Sequence, residues 1–101
     1  MIDQIIAEMG PSYREGVFTQ STCFVFFVGD DTITVTIGSG SYAVEKGAGG
    51  AKADCSCKTG PEMFRKIWFD GYRPGIMDFL SKEIRCDAPL LLPQFLKAFG
   101  R

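Results

Sequence analysis

The apolar positions of this chain change their period along its length, and each change marks an element. Ile2, Ile5, Ile6 and Met9 recur at helical spacing and predict a short amphipathic helix that Gly10-Pro11 should end. Thr22 to Val28 does not alternate: Phe24, Val25, Phe26, Phe27 and Val28 run together, as in a strand covered on both faces. After a turn at Gly29-Asp30-Asp31, Thr32 to Ile37 alternates cleanly, with Ile33, Val35 and Ile37 facing in. Gly38-Ser39-Gly40 turns the chain into a third strand, Ser41 to Lys46, with Tyr42 and Val44 on one face. A Gly-rich loop over Gly47 to Ala51 then leads to a fourth strand, Ala53 to Lys58. Such a meander of short strands predicts antiparallel pairing and a hairpin at that loop.

From Thr59 onwards the period becomes helical. Thr59-Gly60-Pro61-Glu62 fits a capping box, and the helix it opens should run to about Asp70 and stop at Gly71. Pro74 opens a second short helix reaching about Ser81, Glu83 to Asp87 alternates as a fifth strand, and Leu92, Phe95, Leu96 and Phe99 stripe a final helix. The expected fold is a single α+β domain: a five-stranded, mainly antiparallel sheet with helices packed on one face. Met63, Phe64, Ile67, Trp68 and Phe69, followed by Ile76, Met77, Phe79 and Leu80, offer more large apolar surface than two short helices need to hold a small sheet. A core and a pocket for an apolar ligand would carry the same signature.

Composition narrows the functions. The chain has 101 residues, 46% hydrophobic and 23% charged, with a net charge of −1. That bounds it to one globular core and provides no general field for a phosphate backbone. Histidine is absent, which removes hydrolase triads and His-based zinc sites. No apolar run approaches the ~18 to 20 residues of a membrane span. The opening MIDQIIAEMG lacks the basic start and cleavage site of a signal peptide, so the expected compartment is the cytoplasm and the four cysteines are expected to be reduced.

The candidate constellations are modest. Cys55 and Cys57 point to one face of a strand, and Cys86 can sit on a neighbouring one; with only Cys23 left as a fourth ligand, core filling fits them better than a metal. Gly47, Gly49 and Gly50 open no helix and so make no phosphate loop. Phe24, Phe26 and Phe27 are not interleaved with the cations that a base-stacking surface needs. Arg65, Lys66, Arg73, Lys82 and Arg85 gather around the central helices, where they fit a solvated face or an acidic head group. A cysteine nucleophile lacks its activating partner.

One family is similar to this pattern. The order of four strands, capped helix, Gly, helix, strand and helix resembles the sterol carrier protein family. Cys55-Ser56-Cys57-Lys58-Thr59-Gly60-Pro61-Glu62-Met63-Phe64 resembles the family's fourth strand and helix cap, and Gly71, Pro74 and Phe79 resemble its next landmarks. The similarity spans about Thr22 to Phe99. Lys82-Glu83 stands where the family favours Gly-Lys, Ala88-Pro89 where it favours Gly-Asp, and Phe99-Gly100-Arg101 is no peroxisomal address. The resemblance implies an apolar tunnel between sheet and helices that takes sterols, fatty acids, acyl-coenzyme A or isoprenoid lipids. It also implies a fold that recurs as an accessory domain of larger enzymes, and it brings no catalytic residues and no cofactor.

The expected function is therefore a non-enzymatic lipid carrier, with neither nucleic acid nor stable membrane insertion among its interactions. Its wall is expected to be Phe24, Phe26, Ile33, Val35, Phe64, Ile67, Trp68, Ile76, Met77, Phe79, Leu80, Phe95 and Phe99, with Arg73 and Arg85 for an acidic head group. The alternative is an interaction module that uses the same apolar surface to form a weak homodimer or to dock on a lipid-metabolising enzyme.

Overall fold

The computed structural model describes residues 2–47 and 52–101. Helix α1 (Ile2–Ser12) buries Ile2, Ile5 and Met9, the stripe its periodicity predicts. It runs past Gly10-Pro11, because a proline at the end of a helix gives up a single hydrogen bond without interrupting the turns before it.

Strands β1 (Thr22–Val28) and β2 (Asp31–Ile37) form an antiparallel hairpin, and β3 (Tyr42–Lys46) adds to β2 in the same sense. Gly29 closes the hairpin at φ +62°, where a Cβ would also press on the Pro61 ring. Strand β4 (Cys55–Thr59) does not continue the meander. It pairs in parallel with β1, setting Phe24 opposite Cys55 and Phe26 opposite Cys57. Strand β5 (Ile84–Cys86) then closes the far edge antiparallel to β4. The five-stranded sheet is thus mixed, in the order β3-β2-β1-β4-β5.

The link from β3 to β4 is accordingly a crossover, and the hairpin expected over Gly47 to Ala51 is corrected by the topology; residues 48–51 of that loop lie outside the described residues. The described ends of the crossover are pinned to the sheet. The Thr34 hydroxyl donates to the Gly47 carbonyl at 2.6 Å, and the Cys23 N–H donates to the Asp54 carboxylate at 2.8 Å. Thr34 and Val25 are buried on this face, which accounts for the unbroken apolar run of β1. Phe27 is the exception and remains partly exposed.

Helices α1, α2 (Pro61–Phe69) and α4 (Leu91–Ala98) cover the opposite face. Their core is aromatic. The Phe95 ring lies 4.7 Å from Phe26, 5.1 Å from Phe24 and 5.2 Å from Phe99, which in turn lies 5.7 Å from Trp68. The capping box expected at Thr59 does not form. Thr59 is the last residue of β4 and points inward, so its hydroxyl donates to the Glu83 carbonyl at 2.8 Å, and Gly60 stands at the N-cap instead. Pro61 in the first turn needs no N–H partner, which makes the missing cap cheap.

Helix α3 (Ile76–Leu80) begins at Ile76, not at Pro74. Cys57 and Cys86 are register partners in β4 and β5, and their sulfurs are joined in a disulfide with Cα atoms 4.2 Å apart. This corrects the expectation of four reduced thiols: Cys23 and Cys55 are free and buried. Among the described residues no helix is long and apolar enough to cross a membrane.

Candidate functional site

A chain of polar contacts fixes α3 beside the core. Gly71, at φ +70°, turns the backbone after α2 as the sequence predicts, and the Tyr72 N–H then donates to the Lys66 carbonyl at 3.1 Å. The Lys66 ammonium sits 4.2 Å over the Tyr72 ring. The Tyr72 hydroxyl donates to the Asp78 carboxylate, which also accepts the Gly75 N–H at 2.8 Å and so caps α3. These bonds hold the Asp78 carboxyl below its ordinary range, the Tyr72 hydroxyl contributing most, and the same bond holds the Tyr72 hydroxyl above its own. Lys82, at φ +65°, turns the chain out of α3 towards β5, where the Glu83 N–H donates to the Asp78 carbonyl at 3.0 Å.

Between α3, the edge strand β5 and the start of α4 lies an open groove of about 1240 Å³. Its lining includes the Cys57–Cys86 disulfide, buried Ile84, half-buried Phe79 and partly exposed Phe27. Ile76, Leu80 and Leu90 stand along it at 77%, 69% and 83% exposure, values unusual for large apolar side chains with a core beside them. Pro74, Pro89 and Pro93 stiffen the walls.

The groove is also charged. Lys58, Lys82 and Arg85 line it against a single acid, Asp87, although the chain as a whole carries −1. Lys58 and Arg85 are register partners across β4 and β5, and like charges directly opposite on a sheet repel. Among the described residues no ion pair relieves either; the pairs recorded are Asp3 with Lys46 and Glu8 with Arg101. The Asp87 carboxylate is engaged elsewhere, accepting the Ser56 N–H at 2.7 Å.

The residues expected to wall a cavity divide into two sets. Phe24, Phe26, Ile33, Val35, Phe64, Ile67, Trp68, Phe95 and Phe99 are buried against one another in the core. They occupy the space between sheet and helices where the resemblance implies a tunnel. Ile76, Phe79, Leu80 and Arg85 line the groove, and Met77 is exposed on α3 outside that lining. Arg73 sits instead with Phe79 at a neighbouring pocket of about 80 Å³. Sequence reasoning missed Leu90 and Ile84, and it named Lys82 without Lys58. The strand alternation that turns Cys55 and Cys57 inward also turns Lys58 outward, and that was the available signal.

A third sulfur lies beside the disulfide. The Cys55 thiol lies 3.7 Å from the Cys57 sulfur and 3.4 Å from the Ala88 carbonyl. Burial, with a smaller contribution from the Asp87 charge, pushes it up to about 11, so it remains a thiol at neutral pH. The described residues bring together no cluster of His, Cys, Asp or Glu able to hold a metal ion.

No family model matches this sequence, and no curated protein does. Solved structures do share its fold. The sec-alkylsulfatase Pisa1 from Pseudomonas sp. superposes with a TM-score of 0.69 at 15% identity over 83% of this chain. A double mutant of the same enzyme gives 0.78 at 13% identity over 98%. The chain spans only 14% and 16% of the length of those two proteins. The chain is also similar to sterol carrier protein 2 like 2 from Aedes aegypti, with 20% identity, a TM-score of 0.49, and coverage of 91% of this chain and 87% of that one.

Proposed function

We propose that the β5 groove holds the apolar chain of an acidic amphiphile, such as a fatty acid, and that the protein is a non-catalytic carrier of that lipid. The observation that carries the reading is the juxtaposition of exposed Ile76, Leu80 and Leu90 with the unneutralised pair Lys58 and Arg85. Burying the ligand's chain supplies affinity at about 25 cal/mol per Å² of apolar surface, and the two cations fix the end at which the head group lies. A sterol or a neutral isoprenoid would fill the apolar part but leave the two cations facing each other. Catalysis has no support from the thiol chemistry, since Cys55 is protonated and Cys57 and Cys86 are bonded to each other.

Native mass spectrometry of the protein incubated with oleate tests this directly. The expected result is a one-to-one adduct that weakens on Leu80→Asp and on Arg85→Gln, both exposed positions. An unchanged mass after incubation, or an adduct indifferent to both substitutions, overturns the proposal.

A second reading, a module that docks on a lipid-metabolising enzyme, draws on one observation. In the alkylsulfatase structures this fold forms a small share of a much longer chain. Sedimentation of the delipidated protein separates the two readings: a carrier remains a single species, whereas a docking module associates.

A further inference from the structure

The groove accounts for only part of the apolar surface on α3. Met77 is 73% exposed yet lines no part of the groove, and with Ile76 and Leu80 it forms one outward apolar face, while Phe79 turns inward to the core. Leu90, at 83%, stands across the groove from that face. The cations around them outnumber the acids. Arg73 and Lys82 flank α3 at its two ends, Arg85 and Lys58 lie beyond, and all four are exposed. Of the acids nearest this face, Asp78 is occupied by Tyr72 and Gly75 and Asp87 by Ser56, which leaves Glu83, exposed beside Lys82.

We infer that α3 and Leu90 form a docking face for an anionic lipid bilayer, which sets the groove mouth at the headgroup layer. An exposed apolar ridge flanked by an excess of cations is the pattern of a peripheral membrane contact: the apolar side chains enter the headgroup boundary and the cations meet its negative potential. A second copy fits less well, because a symmetric contact through this face would bring two cation-rich rims together. The face shares Ile76, Leu80 and Leu90 with the groove, so Met77, which lies outside it, is the position that separates bilayer docking from ligand binding.

Co-sedimentation with phosphatidylcholine vesicles, with and without phosphatidylserine, tests it on the whole chain. Binding is expected to the mixed vesicles, to fall with added salt, and to be far weaker to phosphatidylcholine alone. Met77→Asp should lower vesicle binding by on the order of tenfold, and Lys82→Gln by about fivefold. Both substitutions should leave the melting temperature in place, and Met77→Asp should leave the oleate adduct unchanged. Failure to bind the mixed vesicles, equal binding to both vesicle types, or Met77→Asp binding like the parent would each overturn the inference. So would a stable dimer or a protein complex that Met77→Asp dissolves, because the face would then belong to a protein partner.

Discussion

Cys57 and Cys86 face each other across the β4–β5 ladder and are covalently joined, so the shortest strand of the sheet is bonded to its neighbour by more than its backbone. The link spans 29 positions, a loop that in the chain-entropy account contributes about 3 to 4 kcal/mol by restricting the unfolded chain. Reduction, or Cys86→Ser, should lower the denaturant midpoint by a corresponding amount. Because the disulfide lines the groove and fixes β5, the oleate adduct should weaken as well. Equilibrium unfolding with and without a reductant checks the first effect, and native mass spectrometry the second.

Phe95 is the hub of the aromatic core, within 5.2 Å of Phe24, Phe26 and Phe99. Phe95→Ala should cost about 3 to 5 kcal/mol through lost burial and the cavity left behind. A chemical denaturation series reads this directly. If a lipid could enter between sheet and helices, the same substitution would enlarge its space and raise its affinity; a groove site predicts no such gain.

Trp68 is the single tryptophan and is 1% exposed, packed against Phe95 and Phe99. Its emission therefore reports on the core and not on the groove. Adding oleate should leave the emission maximum in place while the adduct forms. A blue or red shift on binding would put the ligand inside the core.

The Tyr72–Asp78 contact makes the placement of α3 sensitive to acid. Asp78 is held below its ordinary 3.8, so its contribution is fully present above that value and is lost as pH falls through the lowered one. Tyr72 is held above its ordinary 10.0, so its share is present below that value and is lost as pH rises through the raised one. Carboxyl titration by nuclear magnetic resonance should show Asp78 moving back towards 3.8 in Tyr72→Phe.

Much of the fold was legible. The clean alternation of Thr32 to Ile37 and the left-handed glycine at Gly71 were decided by local chemistry, and both appear where expected. Pairing partners were not, because a strand's periodicity says which face is buried and nothing about its neighbour. Hence β4 was placed after β3 and not beside β1. The site was legible only in part for a similar reason. Ile67 and Ile76 are the same residue type in similar short helices, yet one is 1% and the other 77% exposed. What separates them is the face each occupies: α3 turns Phe79 to the core and Ile76 outward, and only the structure reveals which face of so short a helix is covered. The disulfide was masked by an inference about compartment, although the spacing of Cys55, Cys57 and Cys86 had already raised the possibility of adjacent strands.

The parallel seat of β4 beside β1 also ties the site to a long loop closure. Strands β1 to β3 can zip together from neighbours in sequence, whereas the first contact across the crossover, Cys23 with Asp54, joins residues 31 positions apart. Closing so long a loop is slower than forming a hairpin. Nearly everything that shapes the groove lies beyond that closure in the chain: the outer edge of β4, α3, β5 and the start of α4. The site therefore rests on the costliest closure in the sheet, while the three strands β1 to β3 need only short turns.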